Sequence, residues 1–416
     1  MPASPKRICL ITPGHVASTP RIVKEAEALV DAGYRVTLIS SAHYPPAEPF
    51  DQVIVDRATW RSVRVRAYAG PATFVRRVSR WWLRRRRLSP EAVTLRRALN
   101  LLHPGLPTLV QAAVNECADF YHGHCVAGLA VAAQAAQLRG VPYGFDAEDF
   151  HEAETEALER DERERAVVSR ILQAWLPGCR LRTAAAPLIA EEYRRCHATP
   201  MEVVLNVFPL REAPPAPPPM RPASTASPAR LYWFSQTIGA GRGLERMISV
   251  IASMRTPVEL HLRGQVSQET AARLRALADA AGVPNALQML PPASPDEMVR
   301  LAAECDLGLS LEESQPRNRD LCLTNKVFVY LLAGIPQVLS RTAGQSAIAP
   351  DLGEAALLMD MAEPARVAAE LDAFFASAER VAASRRRAWE LGRSRYCWEV
   401  EGRKFVGLMT AALSSR

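Results

Sequence analysis

Residues 7–40 read as a strand, a loop, a helix and a second strand, and no other feature constrains the fold of this chain as tightly. Arg7 to Thr12 is a short apolar run broken by Pro13-Gly14. Ile22, Val23, Ala26, Leu29 and Val30 then share one helical face, and Arg35 to Ser40 reads as the next strand. Ser18 or Thr19 fits the helix cap, Pro20 its first turn and Gly33 its end. Strands joined through a helix lie parallel, and a parallel sheet needs helices on both faces to bury it. The pattern predicts a doubly wound α/β domain.

After an Arg-rich helical region around residues 74–102, the rhythm returns with a strand at Ala118 to His122, a helix through Gly128 to Leu138 and a strand at Pro142 to Phe145. Between Arg211 and Pro228, proline, alanine and serine crowd out any apolar period, which is the composition of an extended linker. The rhythm then restarts. Leu231 to Phe234 and Val258 to Leu262 read as strands around a helix marked by Leu244, Met247, Ile248 and Ile251. Ser294 and Glu297 form a capping box, Asp306 to Leu311 is an apolar strand, and Asn325 to Ala333 is a helix closed by Gly334. A chain of 416 residues has room for two cores. The expected organisation is a first Rossmann-like domain at 1–210, a linker at 211–229, a second such domain at 230–395 and a last helical stretch at 396–416.

The charge is local. There are 51 basic and 44 acidic residues, a formal +7, and seven arginines with no acid lie between Arg76 and Arg87. Without them the chain is neutral, which argues against a nucleic-acid partner. Arg76, Arg77, Arg80, Arg84, Arg85, Arg86 and Arg87 surround Trp81 and Trp82, a mixture suited to an anionic membrane surface, or alternatively to a solvated helix whose tryptophans pack inward. The eight cysteines show no CxxC pair, as expected of reduced thiols. No apolar stretch reaches the length of a membrane span, and no cleavable leader is expected, so the chain reads as cytoplasmic, with peripheral attachment at the inner face through the patch.

In open α/β sheets, ligands sit outside the carboxyl ends of the strands. Two loops there carry glycine: one at Gly14, and one running from Ser235 to Gly243 with Gly239, Gly241, Arg242 and Gly243. Each leads into a helix whose free amides favour a phosphate. Neither matches GxGxxG and no GxxxxGK[ST] exists, which disfavours a dinucleotide dehydrogenase or a P-loop enzyme.

The stretch Leu323 to Pro336, LTNKVFVYLLAGIP, resembles the NKxFEYLxAGxP donor-site segment of family 4 glycosyltransferases, retaining enzymes with the GT-B fold. Residues Gly239 to Glu245 resemble the phosphate loop of the same enzymes. Residues Thr19 to Val36, TPRxxKEAxxLxxxGYxV, are similar to their first βα unit. Phe145 to His151 resembles their YDAHE-type segment, and Val204 to Pro209 their NxxP stretch. The resemblance implies two Rossmann-like domains facing a cleft, with the acceptor mainly on the first, a nucleoside diphosphate-sugar donor of unread base on the second, and a last helix crossing back to the first domain. It also implies retention of configuration and no need for a metal or other cofactor.

On that reading Gly14, Gly239, Gly241, Arg242, Gly243 and Lys326 hold the donor phosphates, and Arg242 and Lys326 are the cations that stabilise charge on the departing diphosphate. Glu312, Glu313, Thr324 and Asn325 face the sugar and nucleoside. The chain has four lysines against 47 arginines, so a lysine at this helix start is not explained by general usage. The family's ribose-holding glutamate is here Val329, and its other motif glutamate falls on Leu321. The acids Glu312 and Glu313 are the nearest replacements, unless both are plain loop acids.

On the acceptor side, His124, Asp146, Glu148 and Asp149 are the candidates for catalysis, as base or as partners of acceptor hydroxyls. His122 lies deeper in its strand and is the weaker candidate. A metal held by Asp146, Glu148, Asp149 and His151 is not expected, because the GT-B resemblance implies none and His122 and His124 are the only further ligands in sight. The acids could equally start the helix expected around Glu152 to Arg165. The function expected is transfer of a sugar from a nucleoside diphosphate to a hydroxyl acceptor, with the basic aromatic patch pointing to a lipid-linked or envelope glycan. The alternatives are a catalytically silent GT-B nucleotide- or glycan-binding protein and a sugar-nucleotide epimerase.

Overall fold

The computed structural model describes residues 4–42, 44–66, 90–154, 159–219 and 223–414. The Arg76 to Arg87 patch lies outside them. The chain divides into two compact units, Met1–Leu205 together with Gly402–Arg416, and Asn206–Glu401.

The first unit holds β1 (Arg7–Ile11), β2 (Arg35–Ser41), β3 (Arg61–Val65), β4 (Phe120–His124), β5 (Tyr143–Ala147), β6 (Leu181–Ala184) and β7 (Glu202–Val203). They form one parallel sheet in the order β3-β2-β1-β4-β5-β6-β7. Cys9, Leu10, Ile11, Phe120, Tyr121 and Phe145 have no accessible surface, as expected of strands covered on both faces. The helix Cys125–Arg139 is apolar almost all round and lies against the middle of the sheet. Gly123 and Gly128 permit that approach, since a Cβ on Gly123 would stand 2.2 Å from the Gly128 carbonyl. The helix Trp398–Ser414 ends in this unit, burying Phe405 and Met409, and Thr410 Oγ1 lies 2.8 Å from Tyr34 Oη.

The second unit holds β8 (Ala229–Ile238), β9 (Val258–Val266), β10 (Leu287–Leu290), β11 (Leu307–Ser310), β12 (Gln337–Ser340) and β13 (Ala356–Met359), parallel in the order β10-β9-β8-β11-β12-β13. Strand β8 runs four residues beyond the expected Phe234, through a register shift between Phe234 and Thr237, so the glycine loop is confined to Gly239–Gly243. Tyr330, on the helix Asn325–Ala333, lies flat on Gly308 of β11, where a Cβ would stand 2.3 Å from the ring. Its hydroxyl donates to the carbonyl oxygens of Tyr232 (2.9 Å) and Leu309 (3.3 Å), joining this helix to β8 and β11.

The proline-rich stretch expected to be a linker belongs to the second unit. The break falls at Leu205/Asn206 instead. Proline removes donors but leaves carbonyls, and arginines of the helix Ala378–Ser394 take them: Arg393 donates to Pro214 O (3.4 Å) and Arg385 to Pro218 O (3.3 Å). Of the helix expected around Glu152 to Arg165, the structure describes Glu159–Trp175, with a short turn at His151–Ala153. Among the described residues no helix is long and apolar enough to cross a membrane.

In each sheet the strand order reverses once, between β1 and β4 and between β8 and β11. Chain crossovers leave in opposite directions there, opening a crevice at the carboxyl ends of those strands.

Candidate functional site

At the reversal point of the second sheet three charged side chains meet. Glu312 leaves the carboxyl end of β11 with its side chain 1% exposed, and its amide is held by Ser340 Oγ at 3.0 Å. Lys326, in the first turn of Asn325–Ala333, donates from Nζ to Glu312 Oε1 at 2.8 Å. Arg242, from the glycine loop, donates from Nη1 to Oε2 at 3.2 Å and remains 28% exposed. Lys326 also lies over the Trp233 ring, 5.4 Å from its centroid. Burial alone would raise the Glu312 pKa, but Lys326 and then Arg242 outweigh it and hold the carboxyl below its ordinary value.

The loop is shaped by two left-handed residues, Gly241 (φ 70°) and Gly243 (φ 68°), the second capping the helix Leu244–Ser253. Gly239 has no such φ and open space around it. Arg319 donates to the Gly241 carbonyl at 2.9 Å, which brings a third cation to the loop. Sequence reasoning passed it over. Its signal was its position two residues before Leu321, where a glutamate was missed.

The residues expected to hold a donor thus separate. Arg242, Gly241, Gly243, Lys326 and Glu312 come together. Glu313 is half-buried, with Oε2 3.8 Å from where a Cβ on Gly241 would stand. Thr324 and Asn325 occupy the helix start, and Thr324 Oγ1 is buried with no hydrogen-bond partner among the described residues. Val329 has no accessible surface at all. A pocket of about 330 Å³ opens at the carboxyl ends of β11 to β13, lined by Arg246, Glu312, Glu313, Ser340, Arg341 and Asp360 among others.

Gly14 belongs to the first unit, in the loop after β1. Its amide donates to Thr12 Oγ1 (3.3 Å) and its carbonyl accepts from Ser41 (3.0 Å), so the loop closes on itself instead of presenting a free amide. Next to it His15 pairs through Nδ1 with Asp51 (2.6 Å) while Nε2 accepts the Tyr44 amide (2.9 Å), which holds the ring in place.

At the reversal point of the first sheet lies a second charged cluster. Arg21 donates from Nε to Asp146 Oδ2 at 2.7 Å and from Nη1 to Val204 O at 2.6 Å, and stands 3.3 Å from Glu25, one turn on along the helix Pro20–Asp31. His124 lies between two carboxylates, with Nε2 2.8 Å from Glu25 and Nδ1 2.9 Å from Glu148. Burial would lower the His124 pKa, yet Glu25 and Glu148 reverse this and push it up to about 10. Burial raises Glu25 as well, but only the imidazole gains an acceptor on each side, so it keeps the proton. Asp146 is pushed the other way: Arg21 overcomes its burial and holds it far below the ordinary range.

His124 and Asp146 have no accessible surface, so of the four residues expected to carry catalysis only Glu148 and Asp149 keep partial exposure. The structure adds Arg21 and Glu25, which the sequence held inside a motif without a role. One ligand atom from each of Glu25, His122, His124 and Asp146 lies within 4.8 Å of the others.

No protein-family model and no curated protein matches the chain. Solved structures do. The chain is similar to HepE of Anabaena in complex with UDP and glucose (TM-score 0.73, 15% identity, 98% of this chain and 100% of that one). It is also similar to sucrose-phosphate synthase of Thermosynechococcus elongatus (TM-score 0.71, 14% identity, 99% and 100%). A third is WaaG, a glycosyltransferase involved in lipopolysaccharide biosynthesis (TM-score 0.61, 12% identity, 97% and 99%). With two Rossmann-like parallel sheets, of seven and six strands, and likeness over nearly the whole of these chains, this protein has the GT-B fold of glycosyltransferases.

Proposed function

We propose that this chain is a retaining glycosyltransferase that moves a hexose or related sugar from a nucleoside diphosphate to a hydroxyl acceptor. The observation that carries the reading is the convergence of Lys326 and Arg242 on Glu312 at a strand-order reversal, beside a glycine loop. As the glycosidic bond breaks, negative charge grows on the departing diphosphate. Two preorganised cations at helix starts stabilise it most where water is excluded. Until a donor arrives, Glu312 keeps the two cations together and offsets one of their two charges.

Attack comes from the same face, and the diphosphate takes the acceptor proton. Glu148 and Asp149 bind acceptor hydroxyls, while Glu313, Thr324 and Asn325 hold sugar and nucleoside. The cations serve in place of a metal bridging the diphosphate, so added Mg2+ has no effect on turnover. The acceptor class is a lipid-linked or envelope glycan, the chain working in the cytoplasm at the inner membrane face through Arg76 to Arg87. Charge reversal at Arg84 to Arg87 then abolishes binding to anionic liposomes at low salt.

HepE is described with UDP and with UDP-glucose, which makes UDP the first probe. Calorimetric titration with UDP, GDP, ADP, TDP and CMP, on the natural chain and on a Lys326→Ala, Arg242→Ala variant, tests the reading. One diphosphate binds and the variant loses it; no binding of any at millimolar concentration defeats it. A second reading, a silent glycan- or nucleotide-binding protein, draws on Val329, sealed in the core where the family's glutamate stands. Binding of a diphosphate without turnover of its sugar conjugates, or of glycan alone, favours that reading.

A further inference from the structure

We propose that Glu25, His122, His124 and Asp146 form a binding site for a divalent transition-metal ion inside the first unit. The proposal stands on this unit alone and holds whether or not the chain transfers sugars.

His122 is the observation that asks for a ligand. It has no accessible surface, and neither ring nitrogen has a hydrogen-bond partner among the described residues. A buried imidazole with both nitrogens unmet is costly, and the group it faces is a cluster of ligand atoms. Asp146 is oriented in the same sense. Arg21 occupies its Oδ2, and Oδ1 has no hydrogen-bond partner.

His124 completes the pattern. Glu148 accepts from its Nδ1, which turns Nε2 toward Glu25 and the shared space. A carboxylate behind one imidazole nitrogen and a metal before the other is how metal-binding histidines are held. In the metal-free chain the proton between Nε2 and Glu25 Oε2 occupies the place of the ion and leaves to solvent when the ion binds. The His122 and His124 rings stand 5.5 Å apart and nearly perpendicular, at 88°, so both can point at one centre.

Charge balance favours a divalent ion. Glu25, Asp146 and Glu148 against Arg21 leave two negative charges once both imidazoles are neutral, and a 2+ ion cancels them. Two nitrogens and two carboxylate oxygens suit zinc and its first-row neighbours more than calcium or magnesium. Bonds of about 2.1 Å place tetrahedral ligand atoms about 3.4 Å apart. The present atoms lie within 4.8 Å, so loading draws the cluster inward. Its effect is to tie the helix Pro20–Asp31 to the ends of β4 and β5, stiffening the strand ends from which Glu148 and Asp149 depart.

The test uses the full chain, stripped with a chelator and titrated with Zn2+ and, separately, Co2+. One tight equivalent is expected, with a higher Tm and, for Co2+, the intense visible absorption of a four-coordinate site. His122→Phe, which fills the same space without a ligand, loses at least 100-fold in affinity while its circular dichroism shows it folded. Glu148→Gln loses 10- to 100-fold, and His261→Ala, in the other unit, changes nothing. Absence of a tight equivalent in the stripped natural chain overturns the proposal. So does undiminished binding in both His122→Phe and Glu148→Gln, which are read separately in case one does not fold.

Discussion

The two sheets reverse strand order once each, and a knot of opposite charges sits at both reversals, yet the knots differ in what they leave open. In the first unit Arg21, Glu25, His124 and Asp146 have almost no accessible surface and spend their charge on one another. In the second, Glu312 and Lys326 are covered but Arg242 is 28% exposed and comes from a loop shaped by two left-handed glycines. A closed knot fixes the frame. An open one offers its cations to a ligand, because a surface arginine trades one anion for another at little cost, while a buried pair loses several kcal/mol when one partner is removed.

The largest effect that separates them is on stability. Arg21→Met leaves Asp146 without its guanidinium partner and Glu25 with His124 alone, and should cost about 3–5 kcal/mol in urea unfolding. Diphosphate binding by the second unit should be unchanged. If the variant unfolds normally, the first cluster is not the frame of its unit.

Next comes Lys326→Ala, which leaves Glu312 facing the phosphates with only Arg242 beside it. Diphosphate affinity should fall about 100-fold, the scale of one or two charge-assisted hydrogen bonds. Adding Glu312→Gln should restore part of the loss, because the repelling carboxylate is gone. A double-mutant cycle by calorimetry measures that recovery. Purely additive losses would mean that Glu312 and Lys326 do not act as a pair.

Smaller again is Gly308→Ala. Its methyl meets the Tyr330 ring and displaces the helix that carries Lys326, for about 1–3 kcal/mol of stability. Thermal unfolding should show the loss, and diphosphate binding should weaken with it, since the hydroxyl of Tyr330 is what joins that helix to β8 and β11.

What the sequence disclosed and what it hid divide along the same line. The glycine loop, Lys326 and the helix closed by Gly334 are local features, each written within a dozen residues. Arg21 and Glu25 were also in plain view as a pair one turn apart, on the face that carries Ile22 and Leu29. Their partners lie 125 and 99 residues away, at the ends of β5 and β4, and no spacing rule reaches that far. For the same reason His124 and Asp146 read as site residues: ending a strand is visible in sequence, but being covered is not. The short edge strands β3 and β7 carry too little apolar pattern to announce themselves, and the proline-rich stretch hid its anchors because arginines distant in the chain supply the donors that prolines lack.

The smallest effect concerns Glu312 and acid. Its carboxyl is held below the ordinary 4.5 by Lys326 and Arg242, so the folded chain binds a proton there less readily than the unfolded one. The ion pair therefore adds stability above pH 4.5, and that contribution drains away as the pH falls through the lower folded value. Glu312→Gln has no such proton to take up. Unfolding curves of the natural chain and of Glu312→Gln should run parallel from pH 8 to pH 5 and converge below 4.5. Saturating diphosphate should blunt the convergence, because a phosphate on Lys326 and Arg242 takes over the role of the carboxylate. Curves that stay parallel into acid would mean that the two cations do not lower this carboxyl, and that the second cluster is as indifferent to its anion as a surface ion pair.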